Sequence, residues 1–405
     1  MGDLSNGQAA VSVLTSPAPP AVADAFVERF VVEPAPQGAL RGLSFAAKDL
    51  FDVAGRLTGC GNPTWRATHA PPQANAALID HLLRAGARLI GKTRTDEMAY
   101  SIEGCNFHEG APRNPAAPER LTGGSSSGAA SAVASQAVDF ALGTDTAGSV
   151  RVPAAWCGLV GIRPTHGRLS VAGLTPLAPS FDTAGWLARS ASLMRKVGVA
   201  LLGEDTAGLP EYSLVRDSSI ESRATPACAA ALGPAFEACA ARLSAIGESS
   251  LGVDLDAAAE CLRILQANEV WTAHGQWVET HHPRFGPGVA ERFEAARMIT
   301  PDRVREAARQ RAHIVARVDG ALPPGRILCL PTVAGPAPRR DASPEQLQRQ
   351  RAQLLPLTAL ASLTGRPQIT LPLGRCDGAP VGFSLLGWRN GDLALLRIAE
   401  QLCPS

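Results

Sequence analysis

Residues 123–151 read GGSSSGAASAVASQAVDFALGTDTAGSVR and hold two Gly/Ser clusters, at 123–128 and 143–149. The segment between them is built almost entirely of small residues. Residues 128–136 suit a helix that packs closely against its neighbours, and 138–142 form a short apolar strand ending at the second cluster. Two loops with unhindered backbone N–H groups are thus tied to one compact element, and each offers serine hydroxyls. Such a pair of loops can build a nucleophile and a site for a developing oxyanion.

Working outward, strands alternate with helices. Residues 42–47 read as a strand that delivers Lys48. A helix is expected over 73–85, with Ala77, Leu78, Leu82 and Leu83 on one side and Gly86 as its stop. Strands are expected at 88–92, 159–163, 326–330, 368–373 and 380–386, and helices at 191–203, 226–245, 256–281, 301–319 and 392–402. This interleaving argues for an α/β chain around a central sheet. The helical middle, about 191–320, reads as an insertion or cap, with linkers at 203–224 and 331–344.

Composition narrows the function classes. The 405 residues carry 38 Lys+Arg against 37 Asp+Glu, so there is no global basic field to draw nucleic acid or an anionic membrane. An aromatic fraction of 5% further weakens a base-stacking role. Nine scattered cysteines with no C-x-x-C pair point to free thiols in a reducing compartment. The first residues lack a basic region followed by an apolar core, so no secretory leader is expected, and no apolar run is long enough to span a bilayer.

A serine nucleophile needs a base. Of the eight histidines, His166 lies in a turn, while His274, His281 and His282 lie in a polar helical stretch. Surface or turn roles suit them better than catalysis. Residues 124–128 match G-x-S-x-G around Ser126, but no apolar strand precedes them, so a nucleophile elbow is not expected. Cys105 and His108 have ligand spacing without a second pair, so no metal site is expected. A buried lysine is the other option, because desolvation favours its neutral form. Lys48 and Lys92 both stand at the ends of apolar strands and both qualify.

At this point the sequence resembles the amidase signature family. The likeness rests on Gly123, Gly124, Ser125, Ser126 and Gly128, then Gly143, Asp145, Gly148, Ser149, Val150 and Arg151. It continues through Pro153-Ala154, Cys157-Gly158, Gly161 and Pro164-Thr165, and appears upstream at Ala47-Lys48-Asp49, Gly91-Lys92-Thr93, Glu97-Met98-Ala99 and Asn114-Pro115. Leu330-Pro331-Thr332 and Pro380-Val381-Gly382 resemble the family's late motifs. Asn268-Glu269, His274-Gly275-Gln276-Trp277 and the stretch from Gly286 to Arg292 resemble the short plant-type amidases that hydrolyse indole-3-acetamide, and equally their receptor-like relatives of the chloroplast outer membrane.

The resemblance implies an α/β fold: a single domain over 21–405 with a central mixed β-sheet covered by helices on both sides, behind a flexible lead at 1–20. The insertion at about 191–320 would form part of the substrate side. It also implies roles. Ser149 resembles the acyl-forming nucleophile, Ser125 the bridging serine that follows a cis peptide bond, and Lys48 the general base. The backbone N–H groups of Thr146, Ala147, Gly148 and Ser149 would form the oxyanion hole. Ser126, Asp145 and Arg151 would support the loop. No metal or cofactor is implied.

The activity implied is cytoplasmic hydrolysis of a small carboxylic amide, an aryl-acetamide by the branch likeness, to the acid and ammonia. Short aliphatic amides and carbamoyl or urea-type compounds stay open. Two alternatives also stand: a non-catalytic binding or receptor protein, and an ammonia-handling amidotransferase subunit. The expected partner is the small-molecule amide, with no nucleic acid and no membrane, and a homodimer is left open. Met98, Tyr100, Trp271 and Trp277 are candidates for pocket walls, with core packing the simpler role for each.

Overall fold

The computed structural model describes residues 11–13, 24–203 and 211–403. The expected lead at 1–20 therefore lies outside the described residues, apart from 11–13. The described strands are β1 (Val11–Val13), β2 (Phe26–Val32), β3 (Ser44–Lys48), β4 (Arg88–Thr93), β5 (Phe140–Asp145), β6 (Val160–Arg163), β7 (Thr183–Ala188), β8 (Ser213–Arg216), β9 (Ile246–Glu248), β10 (Arg326–Pro331), β11 (Gln368–Cys376) and β12 (Ala379–Leu386). They form one mixed sheet in the order β1-β2-β4-β3-β5-β7-β6-β11-β12-β10-β8-β9.

The centre of this sheet places the chemistry. Strand β3 is parallel to both β4 and β5, with Phe45 opposite Phe140 and Ala47 opposite Leu142. Parallel neighbours end on the same side, so Lys48 at the end of β3 and Asp145 at the end of β5 meet at one edge. Ligand sites of α/β sheets form at the carboxyl ends of such strands.

Alternate side chains of these strands feed two layers, as the twofold period of a strand requires. Phe45, Ala47, Phe140 and Leu142 join the larger core, and the Phe45 and Phe140 rings stack at 5.5 Å. Ala46 and Ala141 face the other way, against Ala129, Ala130 and Val133 of the helix Ser127–Ala134. Burial on both faces explains the nearly unbroken apolar runs. The small residues of that helix serve close approach: a Cβ at Gly128 would lie 2.4 Å from the Ala25 carbonyl oxygen and 2.6 Å from the Arg94 nitrogen.

The helices at Ala191–Leu202, Pro226–Arg242, Leu255–His281, Pro301–Ala321 and Asp392–Leu402 stand close to their expected bounds. Other regions differ. The 203–224 stretch is not merely a linker, since Ser213–Arg216 pairs parallel with β10 and carries β9 at its outer side. The middle segment therefore adds two sheet strands as well as helices. Strands β2 and β7 were not expected, and neither was the helix Pro344–Thr364, which contains Pro356. An internal proline reads as a break in sequence. Here the remaining apolar residues of that helix, Leu357, Leu360 and Leu363, are buried in the second core and hold it. Among the described residues no helix is long and apolar enough to cross a membrane.

The tight seat of Gly128 sets an expectation. Gly128→Val should lower stability by about 1–3 kcal/mol through overpacking, as read by urea unfolding of the two proteins.

Candidate active site

Lys48 is fully buried at the end of β3. Its Nζ donates to Ser125 Oγ at 2.7 Å and to Thr144 Oγ1 at 2.8 Å. Burial lowers its pKa to about 7, and the carboxylates of Asp96, Asp145 and Asp182 oppose only part of that shift. Near neutral pH a large fraction of this amine is thus uncharged. The other strand-end lysine, Lys92, is bound differently: its Nζ pairs with Asp49 Oδ1 at 2.7 Å and donates to Leu57 O and Thr58 Oγ1, both at 2.9 Å. The structure thereby separates two lysines that the residue pattern left equivalent.

The first Gly/Ser loop brings Ser125 to Lys48. The Gly124–Ser125 peptide is cis, and the Ser125 carbonyl accepts from the Asp96 N–H at 3.1 Å. A Cβ at Gly124 would lie 2.1 Å from Asp96 Oδ2, so glycine is required there. Asp96 is itself buried, and burial followed by the nearby Glu103 charge pushes its carboxyl up to about 6. Ser126 ties this loop to the second one. Its N–H donates to the Ser149 carbonyl at 3.2 Å, and its hydroxyl lies 3.3 Å from both the Thr144 N and the Thr144 O.

The second loop, 146–150, is shaped by Asp145. Its Oδ1 accepts from Arg151 Nη2 at 2.8 Å and from the Gly148 N–H at 2.9 Å. Its Oδ2 accepts from Arg151 Nε at 3.0 Å and from the N–H groups of Val150 and Arg151 at 3.1 and 3.2 Å. Arg163 Nη1 donates to the Asp145 carbonyl and approaches Oδ1 at 3.3 Å. Burial alone would push this carboxyl up, but the Arg151 and Arg163 guanidiniums and the donated N–H groups hold it well below the usual carboxylate range. Asp145 and Arg151 are both fully buried, which makes them a loop-fixing pair.

One expectation is corrected here. The Gly148 N–H points to Asp145, so it is not free for an oxyanion. Among the described residues the N–H groups of Thr146, Ala147 and Ser149 donate no hydrogen bond within the protein. Gly148 matters instead for its backbone, with φ +120° and a hypothetical Cβ 2.9 Å from Thr358 Cγ2.

Ser149 borders a narrow cavity of about 10 Å³, also lined by Tyr100, Ala147, Gln266, Arg351 and Leu355. None of the described histidines hydrogen-bonds Ser125 or Ser149. His274 is turned to the Pro176 carbonyl at 2.8 Å and His166 to the Pro179 carbonyl at 2.9 Å. Two conjoined Gly/Ser loops, a buried lysine bonded to the first and a clamped carboxylate under the second form one constellation.

The family model described as "Amidase" matches residues 8–396. The chain belongs to the amidase signature family. It is similar to Amidase 1 of Oryza sativa subsp. japonica (39% identity, covering 93% of this chain and 94% of the relative) and to Amidase 1 of Arabidopsis thaliana (36%, covering 93% and 97%). A solved amidase crystal structure superposes with a TM-score of 0.82 at 32% identity, covering 90% of this chain and 85% of that one.

In this amidase-family site Lys48, Ser125, Ser126, Asp145, Ser149 and Arg151 all lie in or beside the two loops. Reading the sequence did not single out Thr144, Asp96, Gln266 or Arg351. Thr144 had a signal: it neighbours Asp145 on the strand beside Lys48. The others come from distant segments and had none. All four pocket-wall candidates belong to one hydrophobic cluster, and of them Tyr100 also lines the Ser149 cavity.

Asp145→Asn would strand Arg151 and Arg163 in the interior without a counter-charge. A stability loss of about 3–5 kcal/mol is expected at pH 7, measured by chemical denaturation. Because the native carboxyl titrates below its unfolded value, its stabilisation is complete above the unfolded pKa and disappears as pH falls through the native one. The gap between wild type and variant should therefore narrow below about pH 4.

Proposed function

We propose that this chain hydrolyses a small carboxylic amide to the acid and ammonia through an acyl-enzyme on Ser149. The observation that carries this reading is the buried Lys48 amine, held at a pKa of about 7 and placed 2.7 Å from Ser125 Oγ. A neutral amine has two N–H donors and one lone pair. With Thr144 Oγ1 accepting one N–H, the lone pair is available to the Ser125 hydroxyl proton.

In the proposed sequence Lys48 takes the Ser125 proton while Ser125 takes the Ser149 proton. Ser149 Oγ forms a bond to the amide carbonyl carbon, and the carbonyl oxygen becomes an oxyanion. The N–H groups of Thr146, Ala147 and Ser149, unspent within the protein, would receive it, each well-aimed donor being worth about 3–4 kcal/mol. The proton held by Lys48 returns through Ser125 to the nitrogen as the C–N bond breaks, so ammonia leaves neutral. Water then gives a proton to the same relay as its oxygen bonds to the ester carbon; the bond from that carbon to Ser149 Oγ breaks, the relay returns the proton to Ser149 Oγ, and the acid leaves. Gln266, on the helix Leu255–His281, supports the expectation that the middle segment supplies part of the substrate side. The nine free cysteines support a reducing, cytoplasmic setting.

The cavity beside Ser149 has room for about one water as it stands, so an acyl group of any length requires its walls to part.

Ser149→Ala should release no ammonia from any amide of a short aliphatic and aryl panel and form no adduct trappable by hydroxylamine. Turnover at the wild-type rate would sink the assignment. Lys48→Met should lower kcat by about 10²–10⁴-fold while unfolding at a Tm no lower than wild type, because it removes a desolvated amine. The wild-type kcat/KM should rise with pH and level off above about 7, where Lys48 loses its proton. A flat profile from pH 5 to 8 would argue against Lys48 as the proton acceptor.

A further inference from the structure

The cavity beside Ser149 holds polar groups that the protein does not use. Arg351 and Gln266 reach it from two separate helices, Pro344–Thr364 and Leu255–His281, and Tyr100 from a third segment. Among the described residues the Arg351 guanidinium donates no hydrogen bond. Its nearest acidic partner is Glu103 Oε1, 4.0 Å from Nη1, beyond hydrogen-bond reach. The Gln266 amide and the Tyr100 hydroxyl likewise have no hydrogen-bond partner among the described residues, although Gln266 is 5% and Tyr100 4% exposed. Three polar groups without hydrogen-bond partners converge on this one cavity and mark a place for a ligand's acceptor atoms.

The charges favour an anion. Arg292 stands over the Tyr100 ring, its Cζ 5.8 Å from the centroid, and its Nε is buried without a partner. Two guanidiniums thus flank Tyr100. Glu103 can balance one of them, and its Oε2 is already engaged by the Ser101 hydroxyl and the Ile102 N–H. Asp96 lies on the Ser125 side, where its Oδ2 accepts from the Gly104 N–H at 2.9 Å. An Arg fork with vacant donors matches a carboxylate, which offers two acceptor oxygens and a full charge. A neutral alkyl group in the same place would leave these donors unpaired.

We propose that the substrate's acyl group carries a carboxylate bound by Arg351 with Gln266 and the Tyr100 hydroxyl, so that the substrate class is the monoamides of short dicarboxylic acids. This rests on the amide-hydrolase reading for the fate of the bound molecule, but not for its binding. Arg351 acts here as a specificity residue and takes no part in the proton relay.

The test compares succinamate with butyramide, two primary amides of equal chain length that differ in the terminal carboxylate. Wild-type kcat/KM should favour succinamate at least tenfold. In Arg351→Gln that ratio should fall at least tenfold, mainly through KM for succinamate, and Arg351→Lys, which keeps the charge, should retain part of the preference. In parallel, calorimetric titration of Ser149→Ala should show tighter binding of succinamate than of butyramide, and the difference should vanish when Arg351→Gln is added. If Arg351→Gln does not fold, Gln266→Leu and Arg351→Lys supply the same comparison. Equal binding of the two amides to Ser149→Ala, or a preference untouched by these substitutions, overturns the proposal. Arg351-dependent binding of succinamate with no ammonia released would uphold it and sink the hydrolase reading instead.

Discussion

The buried carboxylate of Asp145 organises the reactive loops. It accepts from three backbone N–H groups of the following loop and helix and from the Arg151 guanidinium, while Arg163 reaches it from β6. Arg151 extends the same network to Gln368 on β11 and to Thr358 and Ser362 on the helix Pro344–Thr364. A charge taken out of water is costly unless it is fully paired. Here the pairing is complete only when the loop after β5 has one particular path, and that path sets where Ser149 and the N–H groups beside it stand.

The same interior has to keep Lys48 neutral. Three carboxylates act on it, and each favours the charged form. Desolvation prevails because the Asp145 charge is already answered by two guanidiniums and because burial drives Asp96 toward its own neutral form. Asp182 is engaged too, accepting from Thr146 Oγ1 and from the N–H groups of Leu177 and Ala178. Asp145 and Asp182 are thus engaged elsewhere and Asp96 is pushed toward neutrality, which leaves the Lys48 amine available.

Much of this was legible in the sequence because it is local. An apolar run ending in Lys48, two Gly/Ser clusters and a small-residue segment between them each carry their meaning within a few residues. The two strands that flank β3 were also legible as apolar runs, though not as its partners. What was not legible depends on direction and distance. Residue types in 145–149 do not reveal that the Gly148 N–H turns back to Asp145. Nothing near Gln266 or Arg351 says that they converge on a serine more than a hundred positions away. The helix Pro344–Thr364 was hidden by Pro356, whose cost is outweighed by burial that only the tertiary structure supplies.

The small-residue helix Ser127–Ala134 ties the two reactive loops to one another, since Ser126 at its start is bonded to both Thr144 and Ser149. The bond-breaking side of the cavity is therefore a single stiff body with almost no room for altered side chains. The facing wall is made of long side chains on independent helices, Gln266 on one and Arg351 and Leu355 on another. Variation has an asymmetric outlet in such a molecule: the choice of acyl group can drift one side chain at a time on the facing wall, while the reactive side is inherited as a block.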